Sequence, residues 1–163
     1  MRSLIVGGTS GLGLEIAKLL QGSGDEVIIT GRKNPDVKGL QFQKFNLDLG
    51  AELSGAVDTF VSALPKIDRL FYVAGFYQEG NLTELEDQAI KNMLDVGINA
   101  PIWFVRELLQ NQHEISEFVA VTSTSQWVPR EKEPVYSATK SALGMFANSV
   151  SLDKRVGKVL VAG

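Results

Sequence analysis

The stretch from Leu4 to Gly13, Leu-Ile-Val-Gly-Gly-Thr-Ser-Gly-Leu-Gly, restricts the fold more than any other part of the chain. Leu4, Ile5 and Val6 suit a strand buried on both faces, and from Leu14 the apolar positions Ile16, Ala17, Leu19 and Leu20 recur at helical spacing. Gly7, Gly11 and Gly13 fall in the turn between them. Glycine there permits positive φ, lets phosphate groups approach the backbone and lets the helix pack closely on the strand. The helix N-terminus adds unpaired N–H groups and about half a positive charge. The loop residues Gly7, Thr9, Ser10, Gly11, Leu12 and Gly13 therefore read as a cradle for a pyrophosphate, and a dinucleotide is the expected ligand.

The rest of the chain repeats this alternation. Gly22 to Asp25 is a turn, and Glu26 to Thr30 reads as a second strand, completing a βαβ unit. The segment Gly31 to Leu40 lacks the length and periodicity of a crossover helix, so a parallel third strand at Gln41 to Phe45 needs an unusually short connection. Further elements are expected as a helix over Ala51 to Leu64, a strand over Ile67 to Ala74 and a helix over Thr83 to Val96 opened by a Thr-Glu-Leu-Glu capping box. Pro101 predicts a break or kink near Gly97 to Asn99, before a helical pattern resumes through Ile102, Val105, Leu108 and Leu109. A fifth strand at Glu117 to Thr122, a polar loop at Ser123 to Pro134, a helix at Val135 to Leu152 and a sixth strand at Lys158 to Ala162 complete the pattern. Residues 1–163 are thus expected to form one α/β domain, a doubly wound parallel sheet of order 3-2-1-4-5-6 in three layers.

Composition removes other classes. The net charge of −3 and scattered basic residues leave no electrostatic footprint for nucleic acid. No cysteine is present to build a disulfide framework, and the single His113, in the polar stretch Gln-Asn-Gln-His-Glu, anchors no metal site. No apolar run reaches membrane-spanning length and the N-terminus turns to glycine too soon for a signal peptide, so a cytoplasmic chain without a membrane partner is expected.

Tyr136 and Lys140 stand four residues apart on one predicted helix, hence on one face. A phenol beside an ammonium is drawn toward the phenolate, bringing a proton donor and acceptor toward working pH. Ser123 stands just past the fifth strand, where open α/β sheets place their ligand crevice. The glycine loop in its G-x-x-x-G-x-G spacing, Asn99, Ser123, Tyr136 and Lys140 occur in an order and spacing that resembles the short-chain dehydrogenase/reductase family. That resemblance implies a Rossmann fold and hydride transfer between a nicotinamide cofactor and a small carbonyl or alcohol. It further implies that Tyr136 donates or accepts the proton, Lys140 holds the nicotinamide ribose, Ser123 orients the substrate and Asn99 supports a water relay.

The end of the second strand bears on the cofactor. Thr30-Gly31-Arg32-Lys33 offers no acid for a ribose 2′-hydroxyl and two cations for a 2′-phosphate, so NADP(H) is expected. Asp48 resembles the family's acid beside the adenine, with a helix N-cap as its structural role otherwise, and Ala74-Gly75 matches the end of the family's cofactor-lining strand. Tyr72-Val73 stands where Asn-Asn is common, so two side-chain contacts are lost there. The resemblance covers nearly all of this chain but about two thirds of the family fold, and a substrate segment and seventh strand are expected to be absent. A catalytically silent NADP sensor or scaffold is therefore the second expectation. Small residues at Ala138, Ser141, Ala142 and Gly144, with Ile102, Val105 and Leu109 on the preceding helix, lead to an expected homodimer or homotetramer, the pairing of these helices being implied by the resemblance.

Overall fold

A computed structural model describes all residues from Met1 to Gly163. Its centre is one six-stranded sheet, every pairing parallel: β1 (Arg2–Val6), β2 (Glu26–Gly31), β3 (Gln41–Lys44), β4 (Arg69–Tyr72), β5 (Ile115–Val121) and β6 (Val156–Ala162), in the order β3-β2-β1-β4-β5-β6. Five α-helices connect them: α1 (Gly11–Gly22), α2 (Leu53–Ser62), α3 (Asp87–Leu94), α4 (Ala100–Gln112) and α5 (Pro134–Val150). The doubly wound order expected from the strand and helix alternation is the one observed.

Strand alternation divides the core between two faces. Leu4, Val6, Ile28, Leu70, Tyr72, Phe118 and Ala120 face α2, α4 and α5 and belong to a 20-residue cluster with Val57, Phe104, Leu108 and Leu143. Ile5, Val27, Ile29, Phe71 and Val119 point the other way and meet α1 through Ala17, in a cluster of only six. That disparity means the sheet's stability is drawn mainly from the first face, where each fully buried large apolar side chain contributes about 1.5–3 kcal/mol. Its densest contact is aromatic: Phe104 meets Phe45 and Phe60 edge-on at 5.6 and 6.0 Å between ring centroids, and Phe45 lies 4.8 Å from Phe60.

Residues 32–40 contain no helix, and β3 nevertheless pairs parallel with β2, Ile28 facing Gln41. Two local expectations fail. The capping box at Thr83 does not form: residues 82–85 make a turn in which the Asn81 amide donates to the Glu84 carboxylate at 2.9 Å, and α3 begins at Asp87 after an extended Glu86. The Asn81 bonds hold the Glu84 carboxyl below its ordinary range. Nor does Pro101 break the chain's helical course. A π-helical turn at Asp95–Asn99 joins α3 to α4, and Pro101 sits in the first turn of α4. Widening the turn relieves the clash between a proline ring and the carbonyl four residues earlier, so the proline is absorbed rather than obeyed as a stop. α4 ends at His113, exposed and in the left-handed region at φ 68°, which makes this residue a helix terminator.

Val105 and Leu109 are buried within the chain, so they leave no apolar stripe for a partner, and Gly144 is turned inward onto Gln126. Ala138 and Ser141 do face outward, with Met145 66% exposed beside them. No helix is long and apolar enough to cross a membrane.

Candidate active site

The cleft lies at the C-terminal ends of β1, β4 and β5, where the strand order reverses and connections leave the sheet on opposite faces. It encloses about 520 Å³ and runs from the glycine loop past Ala74 and Gly75 to Tyr136 and Lys140.

Each loop glycine is required for a different reason. Gly7 has φ +88°, and a Cβ there would stand 2.7 Å from the Ala74 backbone, so the turn lies directly against the end of β4. Gly13 lets α1 rest on the Gly7 carbonyl, which a Cβ would strike. Gly11 has φ +51° with nothing within 4 Å, so its glycine serves conformation, and it does not itself line the cleft. Thr9 packs against Gly31. Ser10, the N-cap of α1, is extended and makes no side-chain cap bond, and no acidic residue occupies the helix's first turn. Its N–H groups and hydroxyl are thus unclaimed by the protein, as a pyrophosphate site requires. Leu12 also lines the cleft.

Arg32, just after β2, lines the same cleft and has no acidic partner; Lys33 does not line it. Asp48 borders the cleft on the same side and makes no helix cap, since the 3-10 turn at Gly50–Glu52 is preceded by Leu49. Ala74 and Gly75 continue the cleft wall beside the glycine loop.

At the other end, α5 places Tyr136 and Lys140 on one face as the four-residue spacing predicts. The Lys140 ammonium lies 5.6 Å from the Tyr136 ring centroid and donates to the Val121 carbonyl at 3.2 Å. It is only 5% exposed and no carboxylate meets it. Burial therefore pushes its pKa down from the usual lysine value. Tyr77 packs edge-on against Tyr136, ring centroids 5.0 Å apart. The Ser137 hydroxyl, next in the chain, is buried without a partner.

The two remaining expected residues are placed differently. Ser123 stands at the end of β5 but does not line the cleft; its Oγ caps the short turn Thr124–Gln126 by accepting from the Ser125 amide at 3.2 Å. Asn99 is exposed, donates to the Asp95 carboxylate at 2.8 Å and borders a separate groove with Asp48 and Lys91. The wide π-turn supplies the reason, because one extra residue in the helical ladder changes the azimuth of the side chains that follow. Tyr77, Phe76, Val96, the Val121 carbonyl and Glu133 are the site's unanticipated members. Only Tyr77 carried a sequence signal, an aromatic residue two positions beyond Ala74-Gly75.

Comparison with known proteins identifies the family and the fold. Residues 2–163 match the model of a family described as short chain dehydrogenase. A curated relative, 2-dehydro-3-deoxy-D-gluconate 5-dehydrogenase of Formosa agariphila, is 23% identical over 93% of this chain and 62% of its own length. The chain spans between 47% and 62% of the lengths of three curated relatives it matches. A gluconate 5-dehydrogenase from Burkholderia cenocepacia, solved with NADP and tartrate, superposes with a TM-score of 0.81 at 21% identity, covering 98% of this chain and 69% of the other. A 4-hydroxyisoleucine dehydrogenase solved with NADH gives 0.85 at 22% identity, covering 95% and 71%. These structural likenesses speak to the fold.

Proposed function

The chain belongs to the short-chain dehydrogenase family, and from that premise we propose that it transfers a hydride between NADP(H) and a carbonyl or alcohol substrate, with Tyr136 as acid and base. The observation that carries this reading is the buried, carboxylate-free Lys140 beside Tyr136, at one end of a cleft whose other end is the glycine loop. The residues present fit a dinucleotide. Gly7 and Gly13 line the cleft with backbone alone, the first turn of α1 offers free donors to a pyrophosphate, and Ala74 and Gly75 beside the loop bring only backbone and a methyl group to the wall.

The nicotinamide, when bound, supplies or receives the hydride. In the reducing direction Tyr136 passes its phenolic proton to the carbonyl oxygen as the carbonyl carbon becomes an alcohol carbon. The phenolate left behind faces the ammonium of Lys140, whose positive charge stabilises it. Lys140 also has donors to spare for ribose hydroxyls, since the Val121 carbonyl takes one of its three. In the oxidising direction Tyr136 takes the proton back. Ser123 reaches the substrate oxygen by turning its hydroxyl from its present partners.

Arg32 supports NADP(H) over NAD(H), because an unpaired guanidinium on the cleft wall suits a 2′-phosphate and the turn after β2, Gly31-Arg32-Lys33, carries no acid for a 2′-hydroxyl. Titration with NADPH and NADH tests this: binding of neither removes the reading, and tighter NADH binding removes the role of Arg32. A second reading, an NADP-binding protein without turnover, is favoured by the outward Asn99 and by Ser123 lying off the cleft wall. Screening aldehydes and ketones with NADPH separates the two; turnover lost in Tyr136→Phe supports the enzyme, and turnover retained there refutes Tyr136 as its acid. We also propose a two-fold homodimer or a homotetramer built on the outward face of α5, where Ala138 and Ser141 allow close helix approach and Met145 gains cover.

A further inference from the structure

Glu133 immediately precedes α5 and is its N-cap by position, yet its carboxylate makes no cap bond. Both oxygens are directed elsewhere. Oε2 accepts from the Ser125 hydroxyl at 2.8 Å, and Oε1 accepts from the Tyr77 hydroxyl at 3.2 Å. An ionised carboxylate only accepts, so the direction of the chain behind it is fixed: Ser125 gives its proton to Glu133, and its Oγ is left to accept from the Ser123 hydroxyl, 3.2 Å away. Ser123 in turn accepts from the Ser125 amide. Tyr77, at the other end, packs its ring edge-on against Tyr136. One carboxylate thus ties together the loop after β5, the segment after β4 and the first turn of α5.

Resting on the hydride-transfer reading above, we propose that Glu133 is a positioning residue: through Ser125 it sets the orientation of Ser123, and through Tyr77 it fixes the ring that packs on Tyr136. It touches neither cofactor nor reacting atoms. Its effect is to hold the two flanks of the acid in one arrangement, so that Tyr136 has a single rotamer and the Ser123 Oγ a fixed position from which its hydroxyl hydrogen turns to the substrate. A structural role alone does not account for both bonds, because a helix cap needs one acceptor and this carboxylate spends neither oxygen on the helix.

The test uses Glu133→Gln, Ser125→Ala and the double variant in the full chain, with a carbonyl substrate found by the NADPH screen. An amide keeps an acceptor oxygen at only one of the two carboxylate positions and puts an NH2 donor at the other, so it cannot accept from the Ser125 and Tyr77 hydroxyls at both. The kcat of Glu133→Gln is expected to fall about tenfold while the Kd for NADPH stays at the wild-type value, the loss of one well-placed hydrogen-bonding group at the reacting end. Ser125→Ala should lower kcat comparably, and the double variant should fall no further than the worse single one along the Ser123 branch. Unchanged NADPH affinity certifies that the fold is intact. A readout independent of turnover is the titration of Tyr77 by NMR of ring-labelled tyrosine. Partial desolvation, then the charge and hydrogen bond of Glu133, with smaller contributions from Glu79 and Tyr136, hold the Tyr77 pKa above its ordinary value, so Glu133→Gln should lower it. Wild-type kcat in both single variants, strict additivity in the double variant, or an unmoved Tyr77 titration each overturns the assignment while leaving hydride transfer standing. A wild-type chain that turns over no carbonyl or alcohol overturns the reaction and this role with it.

Discussion

Replacing Gly7 by alanine probes whether the cradle is held by backbone contact. Two penalties add. The residue sits at φ +88°, a conformation that costs an L-residue about 1–2 kcal/mol. The new methyl would also stand 2.7 Å from the Ala74 Cα and N, and 3.0 Å from its Cβ. Comfortable carbon contacts begin near 3.5 Å, so the end of β4 must yield by roughly 0.8 Å, and backbone cannot rotate out of the way as a side chain does. Overpacking of this kind costs about 1–3 kcal/mol, giving a total of about 3 kcal/mol and a melting temperature lower by about 6–12 °C for a chain of this size. The displaced wall carries Gly75 with it, so the Kd for NADPH should rise at least about tenfold even where the variant is folded. Gly11→Ala is the control: its φ of +51° carries the first penalty, but no atom lies within 4 Å to impose the second. Thermal denaturation and nicotinamide fluorescence measure both. Equal melting temperatures for the two variants would refute the argument, because the contact with Ala74 would then contribute nothing.

Phe104→Ala removes the ring that Phe45 and Phe60 pack against and should cost about 3–5 kcal/mol in urea denaturation; a loss under about 1 kcal/mol would mean the cluster is not part of the cooperative core. Lys140→Met should abolish turnover yet raise the melting temperature at neutral pH, because the folded lysine pKa lies below its unfolded value and the charged form is the one burial penalises. The unfolded chain binds more protons, so wild-type stability rises with pH through the window between the folded and unfolded lysine pKa, and the gap to the methionine variant closes there; a gap that widens would reverse the sign. Arg32→Asp should weaken NADPH and favour NADH, and an unchanged ratio of the two affinities would leave the 2′-phosphate without its cation. Sedimentation at micromolar concentration should show a species heavier than the 17.7 kDa chain, dissociated by Ala138→Arg on the outward face of α5; a clean monomer refutes that interface.

The sheet was legible because its signals are local and mutually reinforcing. Buried parallel strands need continuous apolar runs, and Leu4 to Val6, Val27 to Ile29 and Leu70 to Tyr72 supply them. The glycine turn then fixed which strand comes first in the crevice. Boundaries were less legible where a turn and a helix compete for the same residues. Thr83 to Glu86 has the composition of a capping box, but Glu84 satisfies the Asn81 amide one step earlier, and the reciprocal bond from the Glu84 amide to the Asn81 carbonyl at 2.8 Å closes a turn instead. A capping motif states that an acceptor is available, and tertiary packing decides which amide it meets.

The site divides along the same line. Tyr136 and Lys140 share one uninterrupted helix, so their spacing in sequence is their spacing in space, and the cleft has both. Asn99 lies one residue before α4, at the end of the π-turn, where a regular helical count gives the wrong azimuth. Pro101 was the one visible sign of irregularity there, and it specifies that a carbonyl must be relieved without specifying how. The π-turn changes the phase of the side chains that follow it, and Gly97 within it lies so close to Thr139 that a Cβ there would stand 2.6 Å from the Thr139 Cβ. The buried Tyr72 hydroxyl, which donates to the Val96 carbonyl inside that turn, takes the place of the backbone N–H that Pro101 lacks. Burial raises the Tyr72 pKa well above that of a free phenol, so this donor keeps its proton through the neutral range. The π-turn is thus held by a protonated donor from β4, and the outward placement of Asn99 follows from the fold around it.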